Sequence, residues 1–401
     1  MSGVINIERI LISGIGVVSS IGINTKDFYN NLIQEKYSHT IEKTAFPGHG
    51  DDKRTARITK EQYEKIDASI EKSENMPSTV KYAIYATGEA LKDAGLNTEN
   101  LKGKRVAVII GNNDAEPDIL DNYVKDEKFT KYGYSSYNIS KGVSDYYNLK
   151  AINFCVHNSC ASSNMAIDLA YTMFKHNQVD IVIVGGADSF SLKNYTGFNS
   201  LRALSNSTCK PFSSMRDGIT ITEGSGIVVL EKEADVINRK KTAYCELLGA
   251  GSSNDAHHLT QPDKDGIIIA VKKAFKCAGI TYKDVDYIMA HGTGTPTNDK
   301  IEASVINEIY IDKKNLKGIC SIKGTVGHMM GAAGAISLVA ICMIYKNGIL
   351  PPSSKSKERD DECDVNVITE EKFDDNIGIF VNHSFGFGGN NSITIFKKYI
   401  G

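Results

Sequence analysis

Short apolar runs alternate with stretches of helical periodicity along the first half of the chain. The runs are rich in Val and Ile, and most end at Gly or Asn, which is typical of buried strands. The predicted strands cover 9–20, 105–113, 151–156 and 179–188. Helices are predicted from near Thr25, over 77–96 with Pro77 as the start signal and Gly95 as the stop signal, and after Cys160. This alternation predicts an α/β fold.

The second half of the chain repeats the order of the first. A strand and glycine turn at 243–256 resemble the first strand, and a helix follows at about 265–278. The runs 285–295 and 318–327 correspond to the second and third strands, and "HMMGAAGAISLVAICMIY" corresponds to the helix after Cys160. A hairpin-like pair of predicted strands closes the chain. The repeat predicts two related halves, 1–240 and 241–401, in one packed body.

Two polar, Tyr-rich segments, 48–78 and 113–145, do not fit the repeat and are predicted to be excursions from it. The net charge of −2 implies no general attraction to nucleic acid or acidic membranes. The eight cysteines have no short regular spacing, so we expect reduced thiols and no metal site. We find neither a signal peptide nor an uninterrupted apolar run of about 18 residues, and expect a cytoplasmic protein without a membrane span.

Cys160 lies at the seam between the strand 151–156 and a predicted helix. The amino end of a helix favours a thiolate, and a sharp strand-to-helix turn exposes its side chain, as in serine nucleophile elbows. The N–H of Cys160 could also bind an oxyanion. A small buried core residue is the alternative, and for Cys160 alone the two interpretations weigh about equally.

Two histidines favour the functional interpretation. His291, in "AHGTGT", and His328, in "SIKGTVGH", lie in glycine-flanked loops directly after predicted strands. A lone histidine is more often structural, but two in such loops, with a cysteine at a helix start, indicate a site. His157 and His383 lie near motifs but are not assigned to the site. The remaining histidines are interpreted as structural or surface residues: His39, His49, His176, His257 and His258.

An ordered set of motifs covers nearly the whole chain: "ILISGIGVVSSIG", "NSCASSN", "CKPFSSMRDGITITEGSGIVVLE", "AHGTGT", "SIKGTVGH" and "NHSFGFGGNNS". With these motifs the sequence resembles a β-ketoacyl-acyl-carrier-protein synthase of the thiolase superfamily, in the elongating branch with a Cys-His-His site. The resemblance implies a thiolase-like fold with layers in the order α-β-α-β-α.

The resemblance also implies a decarboxylative Claisen condensation in fatty acid or type II polyketide synthesis. Cys160 would accept an acyl group from a carrier thioester. A malonyl thioester would then lose CO₂, and His291 and His328 would stabilise the resulting enolate. The N–H groups of Cys160 and Phe385 would bind the oxyanion of the condensation step. No bound cofactor is expected, since the substrates ride on the phosphopantetheine arm of the carrier.

Supporting roles follow from the same motifs. Lys323 would be a buried cation that orders the histidines, with Glu302 as its carboxylate partner. Thr293 and Thr295 would bond the pantetheine arm. Phe385 would be a gate for the second substrate. Gly386, Gly388 and Gly389 would give this gate its mobility, and Gly386 and Gly388 would also contact the substrate.

The expected partners are acyl carrier protein and either a second copy of the chain or a homologue like a chain-length factor. Arg202, and more weakly Lys60, would dock the acidic carrier. Asn158, Ser159 and Val326 depart from the family's usual residues, so a specialised ketosynthase subunit paired with a chain-length factor stays open. A non-condensing relative that binds carrier protein or only decarboxylates is the other alternative. A degradative thiolase is disfavoured because 382–391 contains no cysteine.

Overall fold

The computed structural model describes residues 8–42, 52–126, 134–310, 315–353 and 358–401. The strands are β1 Ile10–Ser19, β2 Thr40–Glu42, β3 Lys53–Ala56, β4 Val106–Gly111, β5 Ala151–Val156, β6 Ile181–Asp188, β7 Ile221–Thr222, β8 Gly224–Lys232, β9 Cys245–Asn254, β10 Tyr287–Met289, β11 Gly318–Cys320, β12 Ile349–Leu350, β13 Lys372–Phe373, β14 Ile379–Gly386 and β15 Asn390–Lys398.

The α-helices are α1 Thr25–Ile33, α2 Lys60–Ser69, α3 Ser78–Ala94, α4 Thr98–Leu101, α5 Pro117–Asp126, α6 Tyr137–Tyr146, α7 Ser162–Lys175, α8 Leu192–Ser200, α9 Glu233–Asn238, α10 Lys264–Ala278, α11 Pro296–Ile309, α12 Lys323–Val326 and α13 Ala333–Asn347. Short 3₁₀ turns lie at Tyr282–Asp284, Met330–Ala332 and Asp361–Cys363.

One ten-stranded sheet contains the duplication that the sequence predicts. Its order is β11-β10-β14-β15-β9-β1-β8-β6-β4-β5. Each half therefore contributes its third, second, fourth, fifth and first strand in that spatial order. The first three of these are parallel to one another, and the fifth strand pairs antiparallel with the fourth and with the first. The halves meet where β1 and β9 pair at Leu11 with Glu246 and at Ile12 with Cys245. The thiolase-like fold is confirmed; the division at 240, between α9 and β9, stays a prediction.

Helices α7 and α13 form the central layer, because they contact each other and strands from both halves of the sheet. Helix α3 packs on β1, β8 and β6, and α10 packs on β9 and β15 as the outer layers. Helix α13 is apolar on all sides, and every residue from Ala333 to Tyr345 is buried. The layer order is therefore the one that the resemblance implies.

The segment Met330–Asn347 is apolar and long enough to pass for a membrane span, with a mean hydropathy of 1.4. Within this fold 89% of it is buried by the rest of the protein. A core helix of this kind passes the same test of length and composition.

Several elements differ from the sequence-based prediction. β8, between β1 and β6, and α11 were not predicted as elements, although β8 is buried along almost its whole length. β10 and β11 are each three residues long, shorter than the predicted strands, because the chain leaves the sheet at the Gly- and Thr-rich loops. The predicted excursions contain α2, α5 and most of α6 in their described parts, whereas 48–51 and 127–133 lie outside the described residues.

A close approach of β1 to α3 yields a stability prediction. A Cβ at Gly16 would lie 2.0 Å from the Ala86 carbonyl oxygen, and helix backbone cannot yield easily. We expect Gly16→Ala to lower the free energy of unfolding by about 1–3 kcal/mol. The matched control is Gly197→Ala in α8, where a Cβ meets nothing within 4 Å and helix propensity improves. Urea unfolding followed by circular dichroism measures both, and equal midpoints would contradict the packing argument.

Candidate active site

A tight turn presents Cys160 between β5 and α7. The Ala161 N–H donates to the Asn158 carbonyl (3.1 Å) and the Ser162 N–H to the Ser159 carbonyl (3.2 Å). Ser159 has a φ of +51°, a left-handed conformation that non-glycine residues rarely adopt. Local strain of this kind is typical of functional turns. Helix α7 begins only at Ser162, so the thiol lies two residues before the first helical residue.

The thiol of Cys160 is buried, and burial raises its pKa to about 12. The ammonium of Lys323 lowers this pKa, whereas the carboxylate of Asp188 raises it further. The expectation that the helix start would favour the thiolate is therefore wrong for the free protein, because desolvation outweighs the nearby cation. The free protein holds this residue as a thiol.

The two predicted histidines converge on this thiol. His291 follows β10 and His328 follows α12, and their ring centroids are 5.5 Å apart with the planes at 86°. A cavity of about 300 Å³ is lined by both rings, by Cys160 and by Phe385. Residues separated by up to 225 positions along the chain thus share one chamber.

Both imidazoles are neutral. The Met330 N–H donates to Nδ1 of His328 (3.0 Å), so the neutral ring carries its proton on Nε2. Burial, reinforced by the charge of Lys323, lowers the pKa of His328 to about 3 and that of His291 well below its ordinary value. Neutral rings are suited to donate an N–H to a developing anion.

Lys323 and Glu302 hold the peptide of His291 from its two sides. Nζ of Lys323 donates to the His291 carbonyl (2.5 Å), and Glu302 accepts from the N–H groups of His291 and Gly292 (2.8 Å each). The direct Lys323–Glu302 ion pair expected from the sequence is not among the contacts of the described residues. Glu302 acts on Lys323 through its charge instead, offsetting part of the lowering of the ammonium pKa that burial causes.

The end of β14 packs on the nucleophile turn. Phe385 is buried, with its ring centroid 5.4 Å from that of His291. The Ser384 hydroxyl donates to the Cys160 carbonyl (2.8 Å), and a Cβ at Gly386 would lie 2.9 Å from the Cys160 nitrogen. Only glycine therefore allows the strand to approach the thiol-bearing backbone this closely.

Known proteins share this architecture. Models of the beta-ketoacyl synthase N-terminal and C-terminal domains match residues 7–236 and 244–357. The chain is 31% identical to 3-oxoacyl-[acyl-carrier-protein] synthase 2 of Coxiella burnetii, over 98% of this chain and 99% of that one. It is 32% identical to Nodulation protein E of Rhizobium meliloti, over 79% and 81%. The solved ishigamide ketosynthase/chain length factor matches with a TM-score of 0.89 and 27% identity, over 98% and 100%.

The chain belongs to the beta-ketoacyl synthase family. This ketosynthase is therefore an acyltransferase, and the reaction of its family is the decarboxylative Claisen condensation of fatty acid or type II polyketide synthesis.

Not every predicted residue reaches the chamber of this ketosynthase. Thr293 and Thr295 line it, with their hydroxyls 2.8 Å apart, and so does Arg202. Gly388 is not among the residues that line it, and its N–H donates to the Leu259 carbonyl (2.7 Å). Lys60 lies 3.7 Å from Glu64, is highly exposed and lines a separate cavity. The remaining predicted glycines, Gly386 and Gly389, both line the chamber.

Among the described residues, no group of three or more His, Cys, Asp or Glu is placed to hold a metal ion.

Sequence reasoning missed two buried residues. Asp188, at the end of β6, accepts from the N–H groups of Asn113 (2.9 Å) and Ala332 (3.1 Å), and so fixes the segment that follows His328. His383 on β14 places Nδ1 3.0 Å from Oε1 of Glu302. The signal for His383 was its position two residues before Phe385, because alternate residues of a strand share one face.

The raised thiol pKa predicts how Cys160 reacts with iodoacetamide. Because the thiolate is the nucleophile, its rate constant is expected to rise about tenfold per pH unit from pH 6 to 9 without levelling. Intact-mass measurement of single alkylation tests this, with Cys160→Ser as the control that identifies the labelled thiol. A rate that levels off near neutral pH would show that the free enzyme holds a thiolate.

Proposed function

We propose that this ketosynthase transfers an acyl group from acyl carrier protein to Cys160 and condenses it with malonyl-acyl carrier protein. The products are β-ketoacyl-acyl carrier protein and CO₂. The observation that carries the proposal is the single chamber that Cys160, His291, His328 and Phe385 line.

In the first half-reaction, the Cys160 sulfur attacks the carbonyl of the carrier thioester. The carbon–sulfur bond to pantetheine breaks, and the cysteine proton passes to the departing pantetheine thiolate. The reaction exchanges one thioester for another. Because the pKa of the Cys160 thiol is high, its proton must leave as the sulfur attacks. The N–H groups of Cys160 and Phe385 are the proposed donors to the transient oxyanion.

In the second half-reaction, the malonyl carboxylate leaves as CO₂ and its bonding electrons move onto the thioester oxygen as an enolate. His291 and His328 donate N–H bonds to that oxygen. The enolate carbon then attacks the acyl carbonyl on Cys160, the acyl–sulfur bond breaks, and the thiolate takes up a proton from solvent. The low histidine pKa values support this role, because these rings need no deprotonation first.

The remaining assignments serve substrate entry. Thr293 and Thr295 bond the pantetheine arm, since they line the chamber, and Arg202 docks the acidic carrier. Phe385 moves to admit the malonyl group, with Gly386 and neighbouring glycines as its hinge. No bound cofactor is required, and the cytoplasmic location stays a prediction.

A partner subunit is proposed to cover β5. This strand forms one edge of the ten-stranded sheet, and its outward side chains Ile152 and Phe154 are 49% and 40% exposed. An edge strand has unpaired backbone N–H and C=O groups, and one with exposed apolar side chains tends to pair with another chain. A second copy of the chain is the first candidate, and a chain-length-factor-like homologue the alternative, since one similar solved structure is a ketosynthase/chain length factor.

Three variants test the chemistry. Cys160→Ala is expected to abolish condensation yet keep malonyl decarboxylation, because both histidines remain. His291→Ala and His328→Ala are each expected to lower decarboxylation about 10²–10³-fold while Cys160 still becomes acylated. Intact mass reports acylation, and CO₂ release reports decarboxylation.

Exposed His176 provides the control variant His176→Ala, which should match the wild type. Condensation by Cys160→Ala would overturn the scheme. A wild-type protein that binds carrier protein without acylation or CO₂ release would support the non-condensing alternative.

Association is tested by Phe154→Lys, which places a charge on the apolar edge. We expect the wild type to sediment as a dimer and this variant as a monomer, because burying an unpaired ammonium is costly. The control is Phe373→Lys, at an exposed apolar residue of β13. A wild type that is monomeric alone would instead favour a different chain as partner.

A further inference from the structure

His383 is a third buried histidine, behind the chamber and against Phe385 and Glu302, and the proposed reaction leaves it without a role. Its side chain is fully buried, with Nδ1 3.0 Å from Oε1 of Glu302. Its ring centroid lies 5.6 Å from that of Phe385, which in turn is 5.4 Å from that of His291. The ring therefore lies between the carboxylate that holds His291 and the aromatic ring assigned as the gate.

Glu302 is the point at which three segments meet. Its Oε1 accepts from the His291 N–H and from Nδ1 of His383, and its Oε2 accepts from the Gly292 N–H. An ionised carboxylate can only accept, so His383 carries a proton on Nδ1. The Nε2 atom of His383 is buried without a hydrogen-bond partner among the described residues, so the Glu302 contact is the polar contact that orients this ring.

The ammonium of Lys323 exerts a competing attraction on Glu302. This ammonium already bonds to the His291 carbonyl, and the carboxylate charge acts on it through space. Without the His383 donor, Oε1 would keep only the His291 N–H, and the carboxylate would be freer to turn toward the ammonium. Such a turn would displace the His291 peptide, and with it the ring that faces the substrate.

We infer that His383 is a positioning residue of this ketosynthase: its Nδ1–H holds the Glu302 carboxylate and thereby sets His291 against Phe385. The inference rests on the proposed function, because it assigns the effect to the step that uses His291. Acyl transfer to Cys160 does not use that ring. Loss of His383 should therefore slow malonyl decarboxylation and leave acylation almost intact.

Two variants separate the hydrogen bond from mere filling of space. His383→Asn keeps a donor, because its Nδ2 is bonded to Cγ as Nδ1 is in histidine. His383→Leu has a similar branch without a donor. We expect H383L to lower CO₂ release about 10–100-fold, as for loss of a hydrogen bond to a buried charge, with Cys160 acylation within about threefold of wild type. H383N should remain within about threefold in both assays.

Thermal unfolding of each variant accompanies the kinetics, and His383→Met replaces H383L should the latter fail to fold. Wild-type decarboxylation rates in H383L, or an H383N as impaired as H383L, would overturn the inference. An equal loss of acylation and decarboxylation in H383L would also overturn it, since that is the signature of a general structural role. A wild type that neither acylates Cys160 nor releases CO₂ would refute the proposed function itself.

Discussion

Desolvation is the physical constraint on which the chemistry of this protein depends. The same burial keeps the thiol of Cys160 protonated and the rings of His291 and His328 neutral. In water, a histidine would titrate near neutral pH and compete for protons. In this chamber the rings are fixed as neutral donors, and the charges that remain, Lys323 and Glu302, hold backbone groups instead of facing the substrate.

The duplicated sheet explains how distant residues meet. Cys160 follows β5, the third strand of the first half, and Lys323 and His328 follow β11, the third strand of the second half. His291 follows β10, the second strand of its half, while Phe385 lies near the end of β14, the fourth. Because these strands are parallel within each half, their carboxyl ends collect loops on one side. The central helices α7 and α13 then bring the two sets of loops together.

Much of this arrangement could be predicted from residue patterns. Glycine-flanked histidines after apolar runs and a cysteine at a strand-to-helix seam identified three residues that line the chamber, and the family resemblance added Phe385. The predictions failed where a property depends on the surroundings of a group. The thiol pKa of Cys160 and the partner of Lys323 are set by burial and by backbone groups from other elements, which no local pattern records. The strand pattern places His383 on the same face as Phe385, but its contact with Glu302 comes from another segment and could not be predicted.

The sequence by itself determined the alternation of strands and helices, the repeat of element order, and the residue types at the strand ends, because these depend on local periodicity and turn chemistry. Only the tertiary structure decided which protonation states those residues hold and which donors each buried carboxylate receives. Hydrogen bonds and desolvation act across space, between segments such as β14 and α11 that lie some 80 residues apart, and their strength depends on distances of a few ångströms that folding alone establishes.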